Sequence, residues 1–370
     1  MGKRKKRAAV AMSGGVDSSL AACLLKDKGF DVIGLTMKLI PEPEPGPGLY
    51  QADDSTLAGR SRSRAGCCSY LDTGDARQAA QKINIPHYVI DLTKNFEKKV
   101  IKDFCSQYLL ARTPNPCIRC NQYIKFELLL NKARQLEADY IATGHYARIG
   151  YCSQNKRYLL QKGRDKDKDQ TYALFTMTQE QLKSTLFPLG SLTKTQVRKL
   201  AKESGLLVHD KADSQEICFI TDNNYKRFLK ERYPGRIKPG DIVDLNNKVL
   251  GQHEGVSFYT IGQRKGLGIA LGKPVYVVGL DVKNNKVILG DKKDLLKKEL
   301  TAFDLNWISR PGLDSPLKAY AQIRYNHCAA AAMVTPLDVE CKTIVRFRQA
   351  QPAVTPGQAV VFYDKDVVIG

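Results

Sequence analysis

The first 210 or so residues alternate short apolar runs with segments of helical periodicity, and this alternation is the strongest constraint on the fold. In chain order the segments are AAVAM, SSLAACLLKDKG, DVIGLTM, DARQAAQKI, PHYVIDL, FELLLNKARQLE and DYIATGH. Strands that alternate with helices in this way form βα units and a parallel sheet. Ligands of such sheets bind beyond the carboxyl ends of the strands. The sequence therefore predicts an α/β domain over residues 1–212, with its site at that edge.

The pattern changes after this first segment. From residue 213 to 290 the helical period fades, and short segments such as DIVDL, PVYVVGLDV and KVILGD alternate with Gly, Pro and Asn turns. We expect a small central domain there. From 291 to 370, AYAQIRYN, CKTIVRFR and AVVFYDKDVVIG are typical of strands in a small β-barrel or sandwich. The segment PEPEPGPG, residues 41–48, is expected to be an extended or disordered loop.

Charge and composition restrict the partners of the chain. Its 370 residues carry a net charge of +20, which is typical of a protein that binds a polyanion, although charge alone does not separate RNA from DNA or from an anionic surface. No apolar stretch is long enough to span a membrane, and the basic start MGKRKKR is not followed by a signal-peptide core. We therefore expect a cytoplasmic protein without membrane contact, monomeric by default. In that reducing compartment the ten cysteines favour catalytic or metal-binding thiols over disulfides.

A glycine turn lies between the first strand and the first helix, in AMSGGVDSSLAACLL at residues 11–25. Ser13, Gly14 and Gly15 occupy the turn, where successive N–H groups and the helix N-terminus favour phosphate. The hydroxyls of Ser13 and Ser18 add donors. The spacing and the lysine of a Walker loop are absent. Instead, the turn resembles the S-G-G-x-D-S turn of the PP-loop ATP pyrophosphatases, which cleave ATP between the α and β phosphates. That resemblance implies that Asp17 helps to hold Mg²⁺ at the phosphates.

A pair of cysteines occurs in ARTPNPCIRCNQYIKF, residues 111–126. Two prolines hold residues 113–116 in an extended turn, and Cys117 and Cys120 follow as a CxxC pair before an amphipathic helix expected to start near Tyr123. A helix N-terminus lowers the pKa of a thiol and makes it a better nucleophile. The segment therefore predicts a reactive thiol.

A further thiol, Cys218, lies in KADSQEICFI at residues 211–220. Together Cys117, Cys120 and Cys218 would supply three thiolates, enough for a [4Fe–4S] cluster with one iron open to sulfide. A lone CxxC is also half of a zinc site, and Cys67, Cys68 and His145 keep a metal interpretation open. The residues alone do not decide between these chemistries.

Seven blocks occur along the chain in an order typical of one family. They are S-G-G-V-D-S-S, T-P-N-P-x-x-x-C-N-x-x-I-K-F, A-T-G-H-Y, K-D-Q, D-S-x-x-I-C-F-I, G-Q-R-K-G-L-G and T-P-G-Q. Together they resemble the tRNA-specific 2-thiouridylase family, which places sulfur at C2 of the wobble uridine. The resemblance implies an adenine-nucleotide α-hydrolase-like (PP-loop) domain, a small central domain and a C-terminal β-barrel.

The resemblance also implies roles for individual residues. Cys120 would be the nucleophile and Cys218 would carry a persulfide. The residues that would hold ATP are Ala11, Met12, Ser13, Gly14, Gly15, Val16, Asp17, Ser18, Met37 and Gly144. The residues that would contact tRNA are Asn115, Pro116, Cys117, His145, Lys168, Asp169, Gln170, Arg324, Tyr325 and Gln358.

The implied reaction starts from the poor leaving ability of the uridine C2 oxygen. Transfer of AMP to that oxygen makes it a good leaving group, and sulfur then attacks C2. A cysteine desulfurase or a relay protein would deliver the sulfur as a persulfide on Cys218, and Cys120 would either help to release it or resolve the resulting disulfide. The uridine would be flipped out of the anticodon loop, whose stem the barrel would grip.

One departure from the family pattern concerns Cys117, because well-known members have an aspartate three residues before the nucleophile. This substitution keeps the cluster route open beside the persulfide route, since related tRNA thiolases use three cysteines in that way. Two other classes stay open. One is a PP-loop enzyme that adenylates a small molecule and then amidates it, although no glutaminase domain is seen. The other is a non-catalytic RNA-binding protein with a structural metal site.

Overall fold

The computed structural model of the chain describes residues 4–41, 70–211, 217–337 and 342–370. Residues 42–48 of the proline-rich segment, Cys67, Cys68 and the expected boundary at residues 212 and 213 lie outside these ranges. Within them, no helix is both long enough and apolar enough to cross a membrane.

The strands, in chain order, are β1 (Arg7–Ala11), β2 (Asp31–Lys38), β3 (His87–Asp91), β4 (Tyr140–Ala142), β5 (Ala147–Cys152), β6 (Arg157–Lys162), β7 (Thr185–Leu186), β8 (Gly240–Val243), β9 (Val249–His253), β10 (Tyr276–Asp281), β11 (Lys286–Gly290), β12 (Leu296–Phe303), β13 (Leu317–Gln322), β14 (Ala330–Pro336), β15 (Lys342–Pro352), β16 (Val361–Asp364) and β17 (Val367–Val368).

The α-helices are α1 (Val16–Asp27), α2 (Tyr70–Ile83), α3 (Thr93–Phe96), α4 (Lys102–Leu109), α5 (Pro116–Arg119), α6 (Leu130–Gln135), α7 (Gln179–Lys183), α8 (Lys194–Glu203) and α9 (Tyr225–Arg232). Two π-helical stretches make longer continuous helices: Glu97–Ile101 joins α3 to α4, and Cys120–Leu129 joins α5 to α6. Short 3₁₀ turns cover Thr171–Ala173, Val256–Phe258 and Lys292–Leu295.

The predicted parallel sheet is confirmed. Its five strands run in the order β3-β2-β1-β4-β7, and every neighbouring pair is parallel. The strand order reverses at β1, which has β2 on one side and β4 on the other. Ligands of open α/β sheets bind at such a reversal, beyond the carboxyl ends of the strands. The turn after β1 therefore lies where a ligand site is expected.

Both faces of this sheet are covered by helices, as all-parallel sheets require. On one face, α1, α2 and α8 bury an apolar cluster that includes Val10, Leu20 and Val197. On the other face, the helices between residues 93 and 135 bury Phe104 and Phe126 completely. Burial of each such phenylalanine stabilises the fold by roughly 2–3 kcal/mol. The sheet edge that carries the loops is thus supported from both sides.

The central segment forms a four-stranded sheet in the order β10-β11-β8-β9, in which only β11 and β8 are parallel. Helix α9 was not predicted, because its sequence YKRFLKER is strongly charged and buries only Leu229 completely. The helix packs back onto the first domain through Phe228, whose ring centroid lies 5.6 Å from that of Phe219.

The third sheet has eight antiparallel strands in the order β12-β15-β14-β13-β16-β17-β6-β5. Its predicted C-terminal strands are confirmed, but β5 and β6 come from within the first segment and were not predicted. They form a hairpin that joins the C-terminal strands where Val367 pairs with Gln161. The first and last thirds of the chain therefore share a sheet, while the bounds 1–212, 213–290 and 291–370 stay a prediction.

Candidate active site

The turn after β1 has the geometry of a phosphate site. Gly14 has a φ of +67°, and a Cβ there would lie 2.2 Å from the carbonyl oxygen of Asp72, so only glycine fits. Gly15 is the N-cap of α1 and provides no side-chain hydrogen bond to the first helical turn. The Ser18 hydroxyl accepts a hydrogen bond from the Ser13 N–H at 3.1 Å. The first-turn N–H groups of α1 are thus left for a ligand such as the phosphates of ATP.

Asp17, the predicted Mg²⁺ ligand, is already paired. The Lys194 ammonium lies 2.9 Å from Oδ1 and 2.8 Å from Oδ2 of Asp17, and the Tyr146 hydroxyl donates to Oδ1 at 2.8 Å. A cation is therefore already held beside the phosphate turn. Mg²⁺ commonly takes one or two carboxylates together with substrate phosphates, and the role of Asp17 as such a ligand stays a prediction. Lys194 was missed, because it lies 177 residues away along the chain.

Lys211 joins the same turn to α2. Its ammonium donates to the Gly14 carbonyl at 3.1 Å, to Asp72 Oδ1 at 2.7 Å and to Asp75 Oδ2 at 2.6 Å. Burial alone would lower the pKa of Lys211, but its bonds to the two carboxylates outweigh this and raise the pKa above its ordinary value. The lysine is therefore charged at neutral pH, and it stands seven residues before Cys218.

Gly144, predicted to lie near the adenosine, makes the closest approach to α1. A Cβ on Gly144 would lie 2.7 Å from the carbonyl carbon of Asp17 and 2.8 Å from the Ser18 nitrogen. Met12 and Met37, two other predicted nucleotide contacts, are almost fully buried beside the ends of β1 and β2. The three residues thus line the end of the sheet where the turn lies.

Gly144→Ala is expected to lower the free energy of unfolding by about 1–3 kcal/mol, because the new methyl group has to displace backbone atoms of α1. The matched control is Gly74→Ala in α2, where a Cβ meets no atom of the described chain within 4 Å. This control should be neutral or stabilising by up to about 1 kcal/mol. Urea unfolding followed by circular dichroism measures both changes. Equal stability of the two variants would contradict the described contact.

The cysteine helix starts at Pro116, and the prediction that it starts near Tyr123 is wrong. Asn115 is its N-cap, and the Asn115 Oδ1 accepts a hydrogen bond from the Cys117 N–H at 3.1 Å. Pro116 occupies the first helical position, where its missing N–H costs nothing and its fixed φ suits the helix. Cys117 therefore lies in the first turn and is exposed, whereas Cys120 begins the π-helical stretch and is buried.

Cys218 is half-buried and packs against the same apolar cluster that contains Cys120. The next residue anchors it, because the Phe219 ring packs edge-on against Phe96 at 5.7 Å and Phe104 at 5.2 Å between centroids. None of the seven cysteines in the described ranges forms a disulfide bond.

A metal site is not assembled from the predicted ligands. Within the described residues, which include Cys117, Cys120, Cys218 and His145, no three His, Cys, Asp or Glu side chains are grouped to hold a metal ion. The three thiols proposed for a [4Fe–4S] cluster therefore do not fit that group in this arrangement.

Three predicted tRNA contacts, Cys117, Lys168 and Asp169, affect the pKa of a fourth, Tyr325. Burial is the main cause that raises the pKa of Tyr325; Asp169 and Cys117 raise it further, and Lys168 lowers it. The charged groups belong to the cysteine helix and to the loop before residue 171, whereas Tyr325 lies in the loop between β13 and β14. Tyr172 lies below, with its ring centroid 6.2 Å from that of Tyr325.

All three domains meet at the segment before the cysteine helix. The Gln358 side-chain amide donates to the Thr113 carbonyl at 2.6 Å, and the Thr113 N–H donates to the Pro356 carbonyl at 2.9 Å. The Thr113 hydroxyl donates to the Thr260 hydroxyl of the central segment at 3.1 Å. The amide of Gln358, a predicted tRNA contact, is thus used to hold the cysteine segment in place.

His145 is buried, and its Nδ1 lies 2.7 Å from the Thr143 hydroxyl. Burial, with a smaller effect of the Lys125 charge, lowers the pKa of His145 well below its ordinary value, so the imidazole is neutral. Phe126 and Phe187 enclose it, with ring centroids 6.0 and 5.9 Å away. Its contact with tRNA stays a prediction, and in this structure the ring faces the interior.

Other predicted tRNA contacts also hold backbone in place. Asp169 accepts hydrogen bonds from the Gly163 N–H at 2.9 Å and the Thr171 hydroxyl at 2.7 Å, while burial raises its pKa. The Gln170 side-chain oxygen accepts from the Tyr146 N–H at 2.9 Å. Arg324 donates to the Pro352 carbonyl at 3.1 Å. These bonds shape the loops around Tyr325, and direct contact with tRNA stays a prediction.

A chain of contacts links the two halves of the site. Asp17 bonds Tyr146 and Tyr146 bonds Gln170, while Ala173, three residues further on, accepts a hydrogen bond from the side-chain amide of Asn121 at 2.9 Å. Hydrogen bonds therefore connect the phosphate turn to the helix that carries Cys117 and Cys120.

Three family models match the chain in sequence order. They are described as a tRNA methyl transferase HUP domain over residues 6–222, a tRNA methyl transferase PRC-barrel domain over 226–291 and an aminomethyltransferase β-barrel domain over 297–370. Together they agree with a parallel-sheet domain, a central domain and a C-terminal β-barrel domain.

The parallel sheet with its S-G-G-x-D-S turn at a helix N-terminus defines an enzyme of the PP-loop class. The chain is 52% identical over 366 residues to the tRNA-specific 2-thiouridylase MnmA of Acetivibrio thermocellus, covering 99% of this chain and 98% of the relative. The corresponding proteins of Halothermothrix orenii and Heliobacterium modesticaldum are 51% and 50% identical, covering 98% and 99% of this chain and 97% and 91% of theirs. The chain belongs to the tRNA-specific 2-thiouridylase family, a family of sulfurtransferases.

Proposed function

We propose that this chain uses ATP to replace the C2 oxygen of the wobble uridine of tRNA with sulfur. The observation that carries the proposal is the series of hydrogen bonds from Asp17 through Tyr146 and the 170–173 turn to Asn121, which connects a phosphate-binding turn to the cysteine helix of a basic protein. The relatives named above are 2-thiouridylases, and their names supply the base and the position.

The first step activates the base. The C2 oxygen attacks the α-phosphorus of ATP, pyrophosphate leaves, and AMP becomes bonded to the oxygen. The N–H groups of the first turn of α1 and the cation of Lys194 support this step, because they stabilise charge on the phosphates. The uridine has to leave the anticodon stack to reach the turn, and the exposed Tyr325 ring would stack on the extruded base.

The second step transfers sulfur. The terminal sulfur of a persulfide on Cys218 attacks C2, and AMP leaves with the former C2 oxygen. The Cys120 thiolate then attacks the Cys218 Sγ, which breaks the S–S bond, frees the 2-thiouridine and leaves a Cys120–Cys218 disulfide for a thiol reductant to reduce. In the other order, Cys120 attacks Sγ before the transfer and releases hydrosulfide, which attacks C2. A cysteine desulfurase or a sulfur-relay protein supplies the persulfide in both orders.

Two alternatives are less well supported. The family models carry the words methyl transferase, but a methyl transfer uses neither the paired thiols nor an ATP-cleaving turn. The cluster route needs Cys117, Cys120 and Cys218 together, and they are not grouped for a metal ion in the described structure. We therefore derive no step through a cluster.

The test is thiolation by protein purified without oxygen and analysed for iron and sulfide on the same sample. The protein is mixed with tRNA, ATP and a persulfide donor, and the nucleosides are analysed by mass spectrometry. Iron-free protein that forms 2-thiouridine only with ATP supports the proposal. Activity that disappears together with iron would establish the cluster route instead, and a methylated nucleoside would establish methyl transfer. If the chain were an RNA-binding protein without catalysis, it would form no modified base, and its Asp17→Asn variant would bind tRNA as tightly as the wild-type protein does.

A further inference from the structure

A positively charged surface cleft lies outside the site described above. It has a volume of about 450 Å³ and is lined mainly by Lys98, Lys99, Lys102, Arg119, Tyr123 and Tyr233. We refer to it as the lysine cleft. None of these six residues is among the predicted ATP, sulfur or tRNA contacts.

The position of the lysine cleft follows from two helices. The helix over residues 93–109 buries Phe96 and Phe104 in the core and turns its lysines outward. The opposite wall is the cysteine helix, where Arg119 immediately precedes Cys120 and Tyr123 follows about one turn later. One helical turn advances about 5.4 Å, so the cleft lies within about a turn of the predicted nucleophile along that helix.

The charge of the lysine cleft is largely uncompensated. Within the described chain, Lys98, Lys99 and Lys102 form no salt bridge. The acidic residue of the lining, Asp103, lies 3.5 Å from the Arg119 guanidinium and so is paired already. Three ammonium groups therefore face solvent together, which raises the local potential for a polyanion.

Aromatic rings lie among these cations. The Lys99 ammonium lies 4.8 Å from the centroid of the Tyr123 ring, and the Arg119 guanidinium carbon lies 5.9 Å from it. Cations interleaved with tyrosines suit an RNA strand, because the cations bind phosphates and the rings contact sugars or bases. An acidic protein surface would pair with the lysines but has no comparable use for the rings.

We propose that the lysine cleft binds the phosphodiester backbone of tRNA next to the reacting uridine. The inference rests on the proposed function for the identity of the RNA. It adds a second contact area to the Tyr325 site, on the helix that carries Cys117 and Cys120, so that the RNA is held at two places around the base that reacts.

The test replaces Lys98, Lys99 and Lys102 together with glutamine. We expect the Kd for tRNA to rise roughly 10- to 100-fold at low salt, and the slope of log K against log salt to fall by about 1 for each phosphate that the variant no longer binds. The matched control replaces Lys28, Lys183 and Lys202 with glutamine, which removes the same charge from exposed lysines of the first domain that are not among the predicted tRNA contacts. ATP binding should be unchanged in both variants, and the control should keep the wild-type tRNA affinity.

Three outcomes would overturn the proposal. One is wild-type tRNA affinity and salt slope in the cleft variant. Another is an equal decrease of tRNA affinity in the control variant, which would show that the decrease follows from the lower net charge of the protein and not from the lysine cleft. The third is slower persulfide loading of Cys218 by a cysteine desulfurase with unchanged tRNA affinity, which would identify an acidic sulfur donor as the partner. If the wild-type protein binds tRNA and forms 2-thiouridine, and the cleft variant does so equally well, only the proposed role of the lysine cleft is refuted. Failure of the wild-type protein to bind tRNA would refute both proposals.

Discussion

Cys218→Ser is expected to lower the rate of tRNA thiolation by roughly a thousandfold or more, since the variant has no sulfur atom on which to carry a persulfide. The side chain is half-buried beside a fixed Phe219, and serine is slightly smaller, so the fold should be retained. The measurement is 2-thiouridine formed in a single turnover by protein loaded with persulfide beforehand. Binding of ATP and tRNA should stay at wild-type levels, which separates a chemical defect from unfolding.

Cys328→Ser is the matched control, because Cys328 is an exposed free thiol in the loop between β13 and β14 and has no predicted role. Cys105 should not substitute for Cys218 either, since burial raises its pKa to about 11 and keeps it a thiol at neutral pH. Cys218→Ser protein that thiolates at the wild-type rate would rule out the persulfide route through this residue.

Cys120→Ser distinguishes the two orders of sulfur transfer. If Cys120 resolves the adduct, the variant should stall with the tRNA bonded through sulfur to Cys218, and a reductant should release 2-thiouridine from it. If Cys120 first releases hydrosulfide, the variant should keep its persulfide and form no covalent complex with tRNA. Denaturing gel electrophoresis without a reductant separates these results. Normal turnover by Cys120→Ser would contradict both orders.

The features predicted correctly from sequence are those with a local period. Short apolar runs such as DVIGLTM and PHYVIDL became β2 and β3, and SSLAACLLKDKG became most of α1, because an apolar run of strand length and a helical period are both local signals. The turn at Gly14 was predictable for a similar reason, since its function depends on adjacent residues. Local signals therefore located the sheet and the phosphate site.

The features that were missed depend on contacts between distant segments. The β5–β6 hairpin was not predicted and its residues were included in the first domain, because nothing within them indicates that Gln161 pairs with Val367. The error at the cysteine helix had a local cause. Two prolines suggested an extended segment, whereas Pro116 with its Asn115 cap begins the helix. Cysteine spacing likewise predicted possible metal ligands but not whether the fold would group them.

Lys211→Met is the other substitution with a large expected effect. It removes the charged donor to the Gly14 carbonyl, Asp72 and Asp75, and it leaves the buried Asp72 without this cation. Hydrogen bonds to charged groups contribute roughly 1.5–3 kcal/mol each, so ATP affinity and thiolation should fall about a hundredfold as the turn loses its support. Because folding raises the pKa of Lys211, this contribution is fully present below about pH 10.5, the ordinary pKa of a lysine. The contribution is lost as the pH rises through the higher pKa of the folded protein.

The variants Lys211→Arg and Lys202→Met complete this experiment. Arginine keeps the charge and should retain most of the ATP affinity, whereas Lys202 is an exposed lysine of α8, so its replacement should have no effect. ATP affinity is measured by calorimetry, and trypsin sensitivity of the folded protein reports whether the turn alone has loosened. Because Lys211 precedes Cys218 by seven residues, a decrease in thiolation that exceeds the decrease in ATP affinity would show that it also positions the sulfur-carrying segment. Wild-type ATP affinity in Lys211→Met would mean that the contact with Gly14 has no part in nucleotide binding.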